Sequence, residues 1–474
     1  MKGIPLAKHR FSAPLSKIET TPDTLTSRGG LCIFSRYLEQ TKIFDLLEEA
    51  FGYLRKNSKG LEVWNLFHQV FCFFADGTSR HLSYFDQLKK DPGYAAVIQA
   101  VSEEMASSHT IKRFFRRFSW TTGKTFRRIL KDLFVWRLNI TRPDLIVIGI
   151  DTMVMDNDYA KKRHGVTPTY TKKKGFQPIQ FTWKGTIIDA VFRSGKWHGM
   201  TRGTARKMIK ELVDLIRTRY RSDVTIVFEM DAGFYDQAYY KLCDRLDVGF
   251  VASGKMHTAV KEHVGKTETS WGQYHNARQI WDYVEFGYRA KSWSEFWRTF
   301  YTRPRCDEEG PQMNLEFLRP DNVILTNLGT NPRVLKHLST KERKRMLKPE
   351  WIIEAHHQRG AEELTHRAFK DYGFEALPFK RFTQNQAFYY TMLLSFFLFQ
   401  TFKEDILGDV IPVTSYATTV RRQFIDIAAK IVRGGHQTII KFSETLIKSL
   451  NLDTLWQRCG QVIPISTHVH YQSG

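Results

Sequence analysis

Cysteine is scarce in this chain, and the few that occur are scattered. There are five, at Cys32, Cys72, Cys243, Cys306 and Cys459, and none forms a C-x-x-C pair. An odd, unpaired set fits a reducing compartment and argues against a disulfide framework and against a zinc knuckle. We therefore expect a cytoplasmic protein.

The chain also lacks an apolar run of the length that a membrane requires. Its most hydrophobic stretch, residues 388–399, contains Ser395 and two tyrosines, and it is shorter than the ~20 residues of a membrane-spanning helix. The first residues place Lys2, Lys8 and Arg10 near proline and serine, without the apolar segment of a secretory signal. The sequence predicts a buried helix at 388–399 and no membrane partner.

Acidic residues are few relative to basic ones. Against 49 Asp and Glu stand 71 Lys and Arg, a formal net charge of +22. A field of this sign attracts polyanions, and nucleic acid is favoured over the two alternatives, a merely basic soluble protein and one that binds acidic lipid. Hydrophobic residues at 42% and aromatic residues at 14% exclude general disorder, and a chain of this length is expected to contain roughly two to four structural units.

The first part of the chain has a helical pattern. An irregular arm rich in Thr, Ser and Pro is followed by apolar residues at three- and four-residue spacing from about residue 31 to 138. Within it, residues 107–118 predict a capped helix that carries Arg113, Arg116 and Arg117 on one side. Two interpretations stay open: a DNA-contacting helix, as in a helix-turn-helix, or a solvated basic face.

The period changes after residue 143. An apolar run at 145–150 is typical of a strand buried on both faces, and it ends at Asp151. The following segments predict a hairpin at 178–183 and 186–192, a helix at 204–220, a strand at 224–230, a helix at 239–246 and a strand at 248–252. This order predicts an α/β fold with a ribonuclease-H-like mixed sheet flanked by helices.

These patterns divide the chain into five regions. We expect a helical N-terminal DNA-binding region at 1–140, the first part of the catalytic core at 141–254, a strand-rich insertion at 255–345, the second part of the core at 346–403, and a helical C-terminal region at 404–474. The insertion is expected to contain strands at 283–288 and 323–327, and the C-terminal region to carry a basic side at Arg421, Arg422, Lys430 and Arg433.

Two aspartates occupy equivalent settings at the ends of predicted strands. Asp151 ends the first apolar run, and Asp231 ends the second and is followed by Gly233, which permits a tight turn. Each is either a metal ligand or an ordinary turn aspartate, and Asp156 and Asp158 compete with Asp151 for the role. Converging carboxylates suit Mg²⁺ and Mn²⁺, which prefer oxygen ligands and promote phosphodiester cleavage in pairs.

A third carboxylate lies on a predicted helix. Helical spacing places Arg359, Glu363, Lys370 and either His366 or Arg367 on one face, while Ala361, Leu364 and Ala368 face a core. A carboxylate between cations is ionised and able to share a metal, and the cations would reach phosphates. The alternative is a ladder of surface ion pairs, which many helices show.

Taken together, these residues resemble those of bacterial insertion-sequence transposases of the DDE class, of the DDE-domain group 1 type. That family carries a Tyr-x2-Arg-x3-Glu-x6-Lys signature, to which Arg359, Glu363 and Lys370 correspond, with His356 in the tyrosine position. Residues 230–235 are similar to its D-[SA]-G-F-Y block, and residues 148–151 match the setting of its first aspartate. The 131 residues between Asp231 and Glu363 leave room for the family's strand-rich insertion.

The resemblance implies a DNA transposase that binds terminal inverted repeats, cuts the strands and transfers them to target DNA. It implies Asp151, Asp231 and Glu363 as catalytic residues and ligands of two Mg²⁺ or Mn²⁺ ions. It further implies double-stranded DNA at the transposon ends and target as partner, a homodimer in the synaptic complex, and a cytoplasmic, nucleoid-associated protein. The alternatives are an inactive transposase-derived DNA-binding protein and a ribonuclease-H-like nuclease that cuts without joining.

The expected DNA contacts fall into three sets. The signature helix and its approach contribute Arg359, Lys370, His356 and Arg367, the hairpin region contributes Lys172, Lys173 and Lys174, and the N-terminal region contributes Arg113, Arg116 and Arg117. Four tryptophans of the insertion, Trp271, Trp281, Trp293 and Trp297, either pack internally or stack on an unpaired base.

Overall fold

The computed structural model describes residues 17–55, 60–160, 162–197, 203–266, 271–276, 279–305, 321–358, 360–435 and 437–465. A short strand, β1 (Thr24–Thr26), precedes a helical region, as the spacing of apolar residues predicts. The helices are α1 (Leu31–Gln40), α2 (Ile43–Phe51), α3 (Val63–Asp76), α4 (Phe85–Leu88), α5 (Pro92–Val97), α6 (Ser108–Phe115) and α7 (Thr122–Thr141). The capped helix expected at 107–118 is α6, because Ser107 Oγ accepts a hydrogen bond from the backbone N–H of Thr110 at 3.2 Å.

The middle of the chain forms the predicted alternation of strands and helices. In chain order it contains β2 (Leu145–Thr152), β3 (Met155–Asp156), β4 (Thr167–Pro168), β5 (Lys174–Phe176), β6 (Ile179–Trp183), β7 (Thr186–Val191), α8 (Thr204–Arg219), β8 (Thr225–Met230), α9 (Gln237–Arg245) and β9 (Gly249–Ser253). The hairpin turn between β6 and β7 uses Lys184 and Gly185, whose φ angles of 46° and 76° are those of a primed turn that matches strand twist.

The pairing of these strands confirms the ribonuclease-H-like sheet. Their order is β7-β6-β2-β8-β9. Strand β6 is antiparallel to both of its neighbours, whereas β2, β8 and β9 run parallel. Because β2 and β8 are central and parallel, their carboxyl ends lie side by side at one edge of the sheet.

The expected strand-rich insertion continues this same sheet. It consists of α10 (Thr258–Lys266), β10 (Gly272–His275), β11 (Ile280–Tyr288), β12 (Trp297–Pro304), β13 (Asn322–Thr326) and α11 (Thr340–Met346). Strands β10 to β13 form an antiparallel series, and β13 pairs with β9, so that the described residues form one sheet of nine strands. The sheet therefore runs across the boundary expected at residue 254.

The remaining elements are mainly helical. They are α12 (Pro349–Gln358), α13 (Gly360–Tyr372), α14 (Phe382–Phe402), α15 (Ala417–Val420), β14 (Ala429–Gly434), β15 (Gln437–Lys441), α16 (Glu444–Leu450) and α17 (Leu452–Cys459). Helix α14 is buried nearly all round, and α3, α7 and β7 all contact it. The buried helix expected at 388–399 is thus confirmed. Among the described helices, none combines the length and apolarity needed to cross a membrane.

The C-terminal region is less helical than expected. Strands β14 and β15 form a hairpin, and β1 pairs with β14, with Thr24 opposite Ile431. The pairing of β14 with β1 could not be read from local spacing, because the two strands lie at opposite ends of the chain. Arg421 was expected on a basic outer side, but its guanidinium is largely buried and donates to the backbone carbonyls of Phe74, Ala75, Asp371 and Tyr372.

Candidate functional site

Asp151 and Asp231 lie next to each other at the carboxyl edge of the sheet. Ile150 of β2 is opposite Met230 of β8, and each aspartate is the next residue of its chain. Neighbouring strands are about 4.8 Å apart, so the two carboxylates project from adjacent positions. Both side chains are partly exposed. The structure therefore places these two predicted site residues together.

The turn after β8 fixes the direction of Asp231. Its Oδ1 accepts a hydrogen bond from the backbone N–H of Gly233 at 2.9 Å, inside a short 3₁₀ turn over Ala232–Phe234. A Cβ atom added to Gly233 would lie 2.9 Å from that same oxygen, which is closer than real Cβ atoms come. A side chain at this position would therefore displace the Asp231 carboxylate from its present place.

Tyr170 lies near both aspartates. Partial burial, followed by the negative charges of Asp151 and Asp231, raises the pKa of its phenol. Its side chain is nevertheless 59% exposed. The phenol thus stays protonated at neutral pH, within electrostatic range of the two carboxylates. Tyr170 is not among the residues predicted from the sequence, although its position two residues before Lys172 is an aromatic–basic signal.

Helix α13 reaches this edge through His366. The Nδ1 atom of His366 lies 3.6 Å from Oδ2 of Asp151, and its Nε2 is buried without a hydrogen-bond partner among the described residues. Burial and the positive charge of Lys370, opposed by Glu363, lower the pKa of His366 to about 4. The imidazole is therefore neutral near pH 7, and it contacts the carboxylate as a neutral group.

Glu363 lies one helical turn before His366. Its side chain is 68% exposed, and its Oε1 accepts a hydrogen bond from Arg367 Nη2 at 2.6 Å. This contact fits the alternative interpretation of the helix, a ladder of surface ion pairs. Among the described residues, no group of three His, Cys, Asp or Glu side chains is arranged to hold a metal ion. Convergence of Glu363 with the two aspartates therefore stays a prediction.

Asp156 and Asp158, the acids that compete with Asp151, are hydrogen-bonded to Lys173 and Lys174. Lys173 Nζ donates to Asp156 Oδ2 at 2.9 Å, and the backbone N–H of Lys174 donates to Asp158 Oδ1 at 3.2 Å. A backbone hydrogen bond from Asp158, then the side chain of Lys173, lowers the pKa of Asp156. Lys172 and Lys173 are exposed in the turn before β5, and Lys174 is exposed at its first position. Asp156 and Asp158 thus have structural partners in a separate small sheet of β3, β4 and β5.

The signature residues around Glu363 have different surroundings. Arg359 lies outside the described residues. Lys370 forms an ion pair with Glu375. His356 is buried on α12, at 8% exposure, with its Nε2 2.9 Å from Ser253 Oγ at the end of β9. This burial argues against the expected DNA contact from His356 and gives it instead a packing position between the helix and the sheet.

The arginines of the N-terminal region divide into two kinds. Arg113 and Arg116 are exposed and able to meet a polyanion. Arg117 lies beyond the end of α6 and donates from Nη1 to the backbone carbonyl of Leu54 at 3.0 Å. The expectation of three equivalent contacts on one helix face is therefore corrected, because Arg117 holds two segments of the region together.

The tryptophans of the insertion favour the packing interpretation. Trp281, Trp293 and Trp297 are buried. Trp271 packs edge-on against Tyr301, and the guanidinium of Arg303 lies 4.0 Å from its ring centroid. None of these four rings is presented as an open stacking platform for a base.

A cavity of about 430 Å³ opens on the sheet beside the aspartates. Its lining includes Gly149 and Glu229, a cross-strand pair two residues before Asp151 and Asp231, together with Thr365 of α13. The cations Lys184 and Arg345 also line it. Glu229 and Glu354 line the same space, so the cavity between the sheet and helices α12 and α13 has a mainly apolar wall that carries charges of both signs.

Comparison with known proteins supports the resemblance seen in the residues. The chain matches the family described as Transposase DDE domain group 1 over residues 12–462. No curated protein matches it. Among solved structures, the chain is similar to the piggyBac transposase synaptic complex with hairpin DNA, with 11% identity, a TM-score of 0.40, and coverage of 85% of this chain and 83% of that one. At this level the structural likeness adds nothing to the topology described above.

Proposed function

Since the chain belongs to the family of transposases with a DDE domain of group 1, we propose that it binds the terminal inverted repeats of an insertion sequence, cleaves the strands there and joins them to target DNA. The proposal places this activity in the bacterial cytoplasm, at the nucleoid. The observation that carries it is the pair of aspartates at the ends of two adjacent parallel strands, with helix α13 docked on Asp151 through His366.

The donor set fits divalent cations. Asp151 and Asp231 supply hard carboxylate oxygens at neighbouring positions, as Mg²⁺ and Mn²⁺ prefer. Glu363 would complete the set once its carboxylate leaves Arg367, since an exposed i,i+4 ion pair costs little to break. Two ions bound there would offset charge on the phosphoryl oxygens and favour ionisation of the attacking hydroxyl or water.

The protein's own residues bind and orient the DNA. Lys370 and Arg367 lie within one turn of His366 on the helix that docks on Asp151, and Lys172 to Lys174 extend from the loop after Tyr170. These cations would hold phosphates on either side of the aspartates, because charge-assisted hydrogen bonds to phosphate are strong and position a backbone.

The reaction proceeds in two displacements. In the first, water attacks a phosphorus at the element end, its P–O bond forms, and the bond to the 3′-oxygen breaks to leave a 3′-hydroxyl. In the second, that hydroxyl attacks a phosphorus of the target strand and displaces the target's own 3′-oxygen. Each step exchanges one P–O bond for another, so no oxidant or energy carrier is required.

Substitution of the three acids tests the assignment. We expect Asp151→Asn, Asp231→Asn and Glu363→Gln each to abolish Mg²⁺-dependent cleavage of DNA carrying the element ends, while binding to those ends persists. Asp158→Asn is the matched control, because Asp158 is an exposed acid of the neighbouring loop with a backbone partner, and it should cleave normally. Wild-type cleavage by Glu363→Gln would contradict the role of that residue.

The wild-type protein separates the alternatives. A transposase gives integrated products when end DNA and target DNA are both supplied with Mg²⁺. Binding without cleavage would identify a transposase-derived DNA-binding protein, and cleavage without integration would identify a nuclease of the same fold. Synapsis by a homodimer predicts a complex of two chains and two end duplexes in light scattering.

A further inference from the structure

A basic notch lies between helices α8 and α9, apart from the residues assigned above. It has a volume of about 320 Å³ and is lined by Gly203, Arg206, Lys207, Lys210, Leu242 and Arg245. All four cations are exposed. No acidic residue is among its described lining. We name these six residues the α8–α9 notch.

The apolar side of α8 explains why its cations face outward. Met208, Ile209, Leu212, Val213 and Ile216 are buried in the main hydrophobic core. On the remaining face, Lys210 lies four residues after Arg206 and three after Lys207, spacings that bring the three cations into one cluster. Arg245, from the last turn of α9, closes the notch on the other side.

The acid nearest to this cluster does not neutralise it. Glu211 Oε1 lies 3.9 Å from Lys207 Nζ, at the limit of an ion pair. Its other oxygen is 3.1 Å from Arg127 Nη2 and 3.3 Å from Lys131 Nζ. Because Glu211 is shared with two other cations, the notch keeps a concentrated positive charge.

The notch is connected to the aspartate pair by a short series of packed rings. Asp231 begins the turn that ends at Phe234, whose ring lies 5.6 Å from that of Tyr239 on α9. The guanidinium of Arg206 lies 6.0 Å from the Tyr239 ring centroid. Arg206 is therefore at the end of the notch nearer to Asp231, and Arg245 is further along α9.

We propose that the α8–α9 notch binds the phosphate backbone of duplex DNA passing through the site, without reading its sequence. This rests on the proposed function. Lysine and arginine on a concave surface suit phosphates, and the described lining contains neither the amide side chains that read adenine nor an aromatic ring for stacking. Element ends and target DNA offer the same phosphodiester chemistry, so both are candidate occupants.

The test is the salt dependence of DNA binding by the full-length protein. The notch variant carries Arg206→Gln, Lys207→Gln, Lys210→Gln and Arg245→Gln. The control variant removes the same charge at four exposed lysines elsewhere, Lys89→Gln, Lys261→Gln, Lys291→Gln and Lys336→Gln. Each protein is titrated with a duplex carrying the element ends and with a duplex of unrelated sequence, over a series of salt concentrations.

Each phosphate contact contributes about 0.9 to the slope of log affinity against log salt, so the notch variant should lose about 3 to 4. The control should lose much less. Loss on end DNA alone assigns the notch to the ends, loss on the unrelated duplex alone assigns it to the target, and loss on both assigns it to both. Thermal melting should be equal in the two variants, since all the substituted side chains are exposed.

Two results would overturn the proposal. One is a notch variant whose slope on both duplexes equals that of the control. The other is a loss confined to an RNA duplex of the same sequence, titrated alongside the two DNA duplexes. Failure of the proposed function looks different, because the wild-type protein would then neither cleave end DNA nor integrate it, whatever the notch variant does.

Discussion

The Nδ1 atom of His366 and the Oδ2 atom of Asp151 are 3.6 Å apart, and this contact joins helix α13 to the end of β2. Glu363 precedes His366 by one turn, so the position of the imidazole also sets the distance from Glu363 to the aspartates. The histidine is buried, whereas Glu363 is exposed. We therefore expect His366 to act as a positioning residue for Glu363, the proposed third acid.

Isosteric substitutions at His366 test this role. An asparagine amide occupies roughly the place of Nδ1, and a glutamine amide roughly that of Nε2. We expect His366→Asn to keep most of the cleavage activity, while His366→Gln and His366→Ala lower kcat by about ten- to a hundredfold and raise the Mg²⁺ concentration for half-maximal rate. Binding of end DNA should persist. Equal Mg²⁺ dependence in His366→Ala and wild type, with equal melting temperatures, would rule the role out.

Arg367 is expected to control the freedom of Glu363. Its guanidinium holds the Glu363 carboxylate at 2.6 Å, and this exposed pair contributes only about 0.3–0.5 kcal/mol to stability. Arg367→Gln should leave the melting temperature unchanged and strengthen Mn²⁺ binding, as measured by calorimetry without DNA. The double variant Arg367→Gln with Glu363→Gln serves as the control, because it removes the carboxylate that the first change releases. Identical Mn²⁺ affinity in all three proteins would contradict the prediction.

A buried ion pair links the N-terminal helices to the sheet. Arg127 of α7 donates from Nε and Nη2 to the two oxygens of Asp189 on β7, at 2.8 and 2.6 Å, and Asp189 is fully buried. Arg127→Met should lower the free energy of unfolding by about 3–5 kcal/mol, because it leaves a buried carboxylate without its cation. Arg128→Met, at an exposed position of the same helix, should have little effect.

The effect of the unpaired charge on stability can be separated from the effect of side-chain size. Combining Arg127→Met with Asp189→Leu removes both charges together, and much of the lost stability should return. The free energies of unfolding of the wild type, Arg127→Met, Arg128→Met and the double variant are measured by urea unfolding. A double variant that is less stable than Arg127→Met would show that packing, rather than the unpaired charge, determines the loss.

His68 predicts a dependence of stability on pH. It is fully enclosed on α3, with Nε2 3.0 Å from Ser35 Oγ, and burial lowers its pKa to about 4. The unfolded chain has the ordinary value of about 6.5. Because the unfolded state binds the proton first, the stabilising contribution is full above about pH 6.5 and is lost as the pH falls toward 4. With about 1.4 kcal/mol per pKa unit, the loss amounts to roughly 3 kcal/mol.

His68→Gln keeps an amide near Ser35 and removes the proton site. Its free energy of unfolding is measured in urea at about pH 7 and at about pH 4.5. The difference between the two values should be smaller than in the wild type, by roughly the loss assigned to His68. Other groups titrate in this range in both proteins, so only the difference between them is informative. An identical pH profile would exclude His68 as the cause.

Much of the core could be predicted because its signals are local. The apolar runs before Asp151 and Asp231, and the Lys184–Gly185 turn, each specify their own element, and parallel pairing brings the two strand ends together. The contact of His366 with Asp151 depends instead on the angle at which α13 crosses the sheet. Likewise, β12 is buried because it pairs with β11 on one side and β13 on the other. Its own sequence contains no local pattern that predicts a strand.

The pairing of β1 with β14 has a consequence for how the protein is made. Thr24 leaves the ribosome long before its partner Ile431, a delay of roughly 20 to 80 s at ordinary elongation rates of about 5–20 residues per second. During that interval the N-terminal helices must stay folded without the pairing of β1 with β14. The sheet of β1, β14 and β15 therefore forms late, after β14 has been synthesised. A chain released before residue 429 could not form it.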